Sequence, residues 1–183
     1  MLSINSLNKK YKSNHCDLSI IIPSKDFSNS LNDSLESVLN QTILPKEIII
    51  VDSSDNDNNQ TLIKNKFDLS FIKFFTVKDL YPGEARNFGV NKSISKYLGF
   101  LDSKTKPKPN WINDYLLMFK KNNYDIIFGT TKYVSKNIKE KIFIASSYGF
   151  NLVETTPGSI IKKSIFLENN YFIERVRTAD DLE

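Results

Sequence analysis

The run LSIII (18–22) is short, apolar and rich in β-branched residues, and Leu31, Leu35, Val38 and Leu39 then recur at helical spacing. The pattern predicts a strand followed by a helix, with Ser28 or Ser30 as its N-cap. Pro45 closes the connection to a second apolar run, EIIIV (47–51). Beyond the polar turn DSSDNDNN (52–59) come a short helical stretch around Leu62 and Ile63 and a strand over 70–77. A Pro-Gly pair opens a helix over 82–95 carrying Ala85, Phe88, Val90 and Ile94, and 97–101 reads as another strand. Ile112, Tyr115, Leu116 and Phe119 mark a further helix, followed by a strand at 124–128. Strands alternating with helices predict βαβ units: an α/β fold with a mostly parallel sheet flanked by helices on both faces. After Gly129 the pattern weakens. TTKYVS reads as a strand, 139–148 as a helix, and GSIIKKSIF as a strand running into a helix.

Residues 1–16 are polar and aperiodic and read as a flexible leader, so the fold is expected over 17–183, one domain for a chain of 183 residues. The single cysteine, Cys16, rules out an internal disulfide, and the single histidine, His15, falls in the leader. Metal sites and nucleophile triads built on Cys or His are therefore not expected, and acid/base chemistry falls to carboxylates. The longest apolar run is far short of the roughly 20 residues of a membrane-spanning helix, and no signal-peptide core is present, so a cytoplasmic protein is expected. A net charge of +4, mostly from lysine, suits a phosphate-bearing ligand or peripheral association with the inner face of an anionic membrane; a solvated lysine-rich surface is the plain alternative.

In open α/β sheets ligands bind beyond the carboxyl ends of the strands. Those positions are polar here: Pro23, Ser24, Lys25 and Asp26 after the first strand, Asp52 to Asp55 after the second, and Asp102, Ser103 and Lys104 after 97–101. Three acidic strand ends are expected to meet in one crevice. All six glycines lie at position 83 or later, so neither a dinucleotide fingerprint nor a P-loop follows strand one or two. A nucleotide at this edge must be gripped by side chains and helix ends.

LSIIIPSKD, SLESVLNQT, KEIIIVDSSD, PGEARNFGV, YLGFLDSK and PNWI, in this order and spacing, resemble the signature of family 2 glycosyltransferases with the GT-A fold. TPGSIIKKSIF and RTADDLE resemble that family's acceptor-side segment and Glu-Asp motif, so the likeness runs from about 18 to 183. It implies a nucleotide-binding part over 17–105 and an acceptor-side part over 106–183. It further implies that Pro23, Ser24 and Asp26 line the base and that Asp52 holds uracil or ribose. Taken alone, Asp26 reads equally well as a helix cap and Asp52 as an Asx-turn residue. Arg86 and Asn87 match the family's Arg-Asn pair at a helix start, where backbone N–H groups and a guanidinium suit a diphosphate; seen alone, Arg86 would read as a surface residue bonded to Glu84. Trp111, early in an amphipathic helix, is assigned to structure, and Tyr148, Phe150 and 156–159 to the acceptor side.

Asp102, Ser103 and Lys104 occupy the family's Asp-X-Asp position, where members hold Mg²⁺ or Mn²⁺ against the donor's diphosphate. Lys104 stands where the second Asp would be, leaving Asp102 as the one metal ligand of a variant motif. Three outcomes stay open: Lys104 supplies the missing positive charge, the domain binds without turning over, or other carboxylates recruit the metal. Asp180 and Asp181 match the Glu-Asp pair, with Asp181 as the base of an inverting transfer; alone they read as an acidic helix start.

The resemblance thus implies an inverting, hexosyltransferase-like glycosyltransferase of polysaccharide biosynthesis. It would use a nucleoside-diphosphate sugar, UDP-linked, and a saccharide, lipid-linked or cell-surface polymer acceptor, with no nucleic acid as partner. Its rival is a degenerate nucleotide-sugar or glycan-binding module. Family members continue past this motif, so two readings stay open, a whole chain and a C-terminally truncated piece.

Overall fold

The computed structural model describes residues 15–25, 29–55, 58–67, 69–132, 134–135, 137–139, 141–142, 153–169 and 171–175. Strands β1 (His15–Ser24), β2 (Leu44–Asp52), β3 (Ile72–Thr76) and β4 (Tyr97–Phe100) run parallel, joined by helices α1 (Asn29–Leu39), α2 (Asn58–Lys66) and α3 (Pro82–Lys92). Helix α4 (Trp111–Asn122) leads to β5 (Ile126–Thr131), and β6 (Val153–Lys162) runs into α5 (Lys163–Glu168). The sheet order is β3-β2-β1-β4-β6-β5, with β6 antiparallel to both neighbours.

Connections through α1 and α2 step the sheet one way from β1, and the connection through α3 steps back past β1 to β4. Because such crossovers are right-handed, α1 and α2 fall on one face and α3 on the other. Packing follows that division. Ile20, Ile22, Ile48 and Ile50 meet Leu31, Leu35, Ile63, Trp111 and Ile112, whereas Ile21, Ile49, Val51, Leu98 and Phe100 meet Ala85, Val90 and Phe166. Central strands covered on both faces need continuous apolar runs, and Ile20 to Ile22 and Ile48 to Val51 are all fully buried. Helix α3 lies so close to β1 that a Cβ on Gly89 would come within 2.6 Å of Ile21 Cγ2.

At the amino end of the sheet a carboxylate is buried on the α3 face. Glu47, 1% exposed, accepts hydrogen bonds from Ser19 Oγ at 2.6 Å, Lys73 Nζ at 2.5 Å and the Ile94 N–H at 2.7 Å. Burial alone would raise its pKa, but the bonds from Lys73, Ser19 and Ile94 outweigh it and hold the carboxyl below its ordinary value.

Strand β1 begins at His15, three residues ahead of the expected start, so 15 and 16 belong to the sheet and not to a leader. The His15 ring donates from Nδ1 to the Pro45 carbonyl at 2.7 Å and packs edge-on to Phe71. Ser30 lies within the first turn of α1 and is no cap, and Ser28 falls outside the described residues. Most of 139–148 also falls outside them. The insertion of antiparallel β6 between β4 and β5 was not expected, and it is secured by close packing of Gly129 against 157–158, where Gly158 has φ 88°. Trp111 is structural: its Nε1 donates to the Gly158 carbonyl at 2.8 Å, and its ring rests near Gly99.

Candidate donor site

Strand order reverses between β1 and β4, so a crevice forms beyond their carboxyl ends. The expected residues gather along this edge. Ser24 pairs in register with Asp52, and Asp52 with Thr76. Phe100 pairs with Ile21, so Asp102 comes level with Pro23. Asp52 and Asp102 thus stand two strand spacings apart, about 10 Å.

Helix α3 brings Arg86 to this edge from its own face. The helix starts at Pro82, and the Glu84 carboxylate accepts the Tyr81 N–H at 2.8 Å, satisfying one donor of the first turn. Arg86 Nη2 donates to Asp102 Oδ1 at 2.6 Å. The arginine side chain is 13% exposed and the aspartate 45%, so the pair is rooted in the protein and open at the carboxylate. The guanidinium carbon also lies 5.5 Å from the Phe172 ring centroid, and the buried Nε has no hydrogen-bond partner. Glu84 is not its partner, as a surface arginine would have had it.

Asp52 does not join this pair. Side chains alternate between faces along a strand: Ile50 and Asp52 turn toward α1 and α2, whereas Phe100 and Asp102 turn toward α3. The Asp52 carboxylate is fully buried and accepts Ser54 Oγ at 2.8 Å on Oδ1 and Asn59 Nδ2 at 2.8 Å on Oδ2. Of the three acidic ends expected in one crevice, the two among the described residues, Asp52 and Asp102, lie on opposite sides of the strand edge. Of the residues expected at the base, Ser24 is buried beside Asp52 and Pro23 is partly exposed, whereas Asp26 falls outside the described residues, as do Asp180, Asp181, Tyr148 and Phe150. Lys104 is exposed in the turn after β4, where the Thr105 N–H donates to the Asp102 carbonyl at 2.9 Å. Ser159, expected on the acceptor side, is buried in β6 and donates to the Thr155 carbonyl.

Asn87, the second residue of the Arg-Asn pair, meets a segment far along the chain. It is 7% exposed, accepts the Phe172 N–H on Oδ1 and donates from Nδ2 to the Phe172 carbonyl, both at 3.0 Å. Asn59 and Phe172 were not anticipated: Asn59 was hidden in a uniformly polar turn, and Phe172 carries no local signal. A cleft of about 560 Å³ opens by the same segment, lined by Asn87, Asn91, Tyr171, Phe172, Ile173 and Glu174, and not by Arg86 or Asp102.

A divalent metal needs several oxygen ligands. Asp102 is one carboxylate, already held by a guanidinium, with an ammonium-bearing residue two positions on. Among the described residues no group of three or more His, Cys, Asp or Glu is placed to hold a metal ion. The donor set described here does not fit Mg²⁺ or Mn²⁺. No described helix is long and apolar enough to cross a membrane.

The chain is similar in sequence and in fold to known proteins. A glycosyltransferase of Rickettsia felis with no characterised activity is 30% identical over 174 residues, covering 90% of this chain and 29% of that protein. The chondroitin synthase of Pasteurella multocida is 29% identical over 157 residues, 83% of this chain and 16% of the synthase. The chain thus spans less than a third of either relative. In fold it matches residues 1–349 of Staphylococcus aureus TarS in complex with UDP-GlcNAc, with a TM-score of 0.68, 20% identity, and coverage of 90% of this chain and 50% of that one. The GT-A architecture expected from the sequence is therefore the one observed. With the family model for glycosyl transferase family 2 matching residues 19–171, most of its length, the chain belongs to that family.

Proposed function

We propose that this domain binds a nucleoside-diphosphate sugar, UDP-linked, at the crevice between β1 and β4 and transfers the sugar with inversion to a hydroxyl of a saccharide or polymer acceptor. The observation that carries this reading is Arg86, partly buried and paired with Asp102 at 2.6 Å where the strand order reverses. UDP-GlcNAc, present in the TarS complex, is the first donor to test.

In this reading Arg86 holds the diphosphate and Asp102 accepts ribose hydroxyls. Ser24 and Asp52 serve the nucleoside end, where each Asp52 oxygen keeps a second lone pair beyond its bonds to Ser54 and Asn59. The acceptor oxygen attacks the anomeric carbon as the bond to the diphosphate oxygen breaks. The electron pair leaves with the nucleoside diphosphate, and the hydroxyl proton passes to Asp181. The growing negative charge on the leaving group is offset by Arg86 and Lys104, a role for fixed cations that needs no metal.

Calorimetry with UDP, GDP and CDP, each with Mn²⁺ or EDTA, tests this. UDP is expected to bind with EDTA present, and Arg86→Ala to weaken it by about tenfold or more. Failure of the wild-type chain to bind UDP removes the donor reading, and binding only with Mn²⁺ removes the role of Lys104. Lys104 also favours a second reading, a nucleotide-sugar-binding module without turnover. Tight UDP binding with neither transfer nor hydrolysis of UDP-GlcNAc would select it.

A further inference from the structure

Resting on the donor reading above, we infer that Asn87 is a positioning residue: it fixes Phe172 so that the aromatic ring aims the Arg86 guanidinium at the diphosphate. Arg86 and Asn87 are adjacent in sequence but do different work. The two ends of the Asn87 amide pair with the N–H and C=O of Phe172, 85 residues away, and two antiparallel bonds from one side chain fix both the place and the rotation of that residue. On a residue 7% exposed, each end of the amide commits one bond to the backbone of Phe172.

Neighbouring contacts seat the same segment on α3. Tyr171 Oη donates to Asn91 Oδ1 at 3.0 Å, and Tyr171 is held at φ 67°, a conformation that persists only where surrounding contacts determine it. Gly83 leaves room for the Ile173 carbonyl, which any Cβ there would overlap. The Phe172 ring is in turn backed by Phe100, centroids 5.0 Å apart and edge-to-face, and by Phe166 at 5.2 Å.

Arg86 is thus confined between a carboxylate and an aromatic face. A guanidinium over a ring gains attraction when desolvated, and it loses rotameric freedom before any anion arrives. If Phe172 comes loose, Arg86 keeps its charge and its bond to Asp102 but loses the wall that aims it. The cost should fall on the diphosphate and not on the nucleoside.

The test is calorimetric binding of UDP and of uridine to the full chain. Wild type is expected to bind UDP more tightly than uridine, and Arg86→Ala to erase most of that difference. Asn87→Ala should weaken UDP about fivefold to tenfold while leaving uridine within about twofold. Phe172→Leu, which keeps an apolar side chain but removes the ring, should do the same, so the idea is testable even if one variant folds poorly. Asn87→Asp, which keeps the bond from the Phe172 N–H but sets a carboxylate oxygen against its carbonyl, should weaken UDP at least as much as Asn87→Ala. An unchanged UDP-to-uridine ratio in folded Asn87→Ala and Phe172→Leu overturns the positioning role alone, as does an equal loss of both ligands. No UDP binding by wild type overturns the donor reading and this one with it.

Discussion

Replacing Glu47 by glutamine should destabilise the fold by about 2–3 kcal/mol, and the figure follows from its partners. Oε1 takes the Ser19 hydroxyl and the Ile94 N–H, and Oε2 takes the Lys73 ammonium. Glutamine keeps an oxygen for the first two, but those bonds become neutral acceptors of about half the strength. The amide NH₂ then faces Lys73 donor to donor. Loss of a charge-assisted bond costs about 1.5–3 kcal/mol, discounted because Lys73 is 37% exposed and can turn to water. Alanine, which strands the buried Ser19 hydroxyl and frees the partly buried Ile94 N–H as well, should cost about 4 kcal/mol. For a chain of this length each kcal/mol lowers Tm by about 2–4 °C, so Glu47→Gln should melt about 5–10 °C lower by far-UV circular dichroism at pH 7. Adding Lys73→Met to Glu47→Gln should recover part of the loss, since both members of the pair are then gone. The folded carboxyl titrates below its unfolded value, so its stabilisation is complete above about pH 4.3 and is lost as pH falls through the lower folded value; Glu47→Gln should lack that slope. A variant melting within about 1 °C of wild type at pH 7 would refute the reasoning.

Two further substitutions probe the site and the scaffold. Lys104→Asp supplies a second carboxylate after β4 and should raise Mn²⁺ affinity, measured by calorimetry with UDP present, roughly fivefold or more; unchanged affinity would mean that position 104 does not govern metal binding. Gly89→Ala gains about 1 kcal/mol of helix propensity but drives a methyl into Ile21, an overpacking cost of about 1–3 kcal/mol, so urea melts should show a net loss. A stabilised variant would show that α3 can lift off β1 freely.

Strands β1 and β2 were legible because burial on both faces demands the unbroken isoleucine runs that the sequence displays. Helix α4 was legible because Ile112, Tyr115, Leu116 and Phe119 keep one face apolar, whereas β6 could not be placed because periodicity carries no information on strand direction. The start of β1 was missed because His15 and Asp17 are exposed and break the apolar run. At the site the residue types were readable and their sides were not. That Asp52 and Asp102 follow strands fixes them to one edge, but the face each turns to depends on the pairing register and on which helix covers it. The engagement of Asn87 with Phe172 lies wholly in tertiary structure, with no local pattern at either end. Glu47 announces itself only as a carboxylate in an apolar strand, and its partners come from two other strands and the loop after α3.

On the proposed donor reading, the pairing of Arg86 with Asp102 makes diphosphate binding at this edge an exchange. A diphosphate meets a guanidinium whose charge is already compensated, so it competes with a tethered carboxylate instead of filling an uncompensated positive hole. Much of the long-range pull on free phosphate disappears, and affinity should depend less steeply on ionic strength than at a bare arginine. Selection then rests on ligands able to replace the aspartate's geometry, which disfavours simple inorganic anions and retains nucleotides that also engage the neighbouring strand ends.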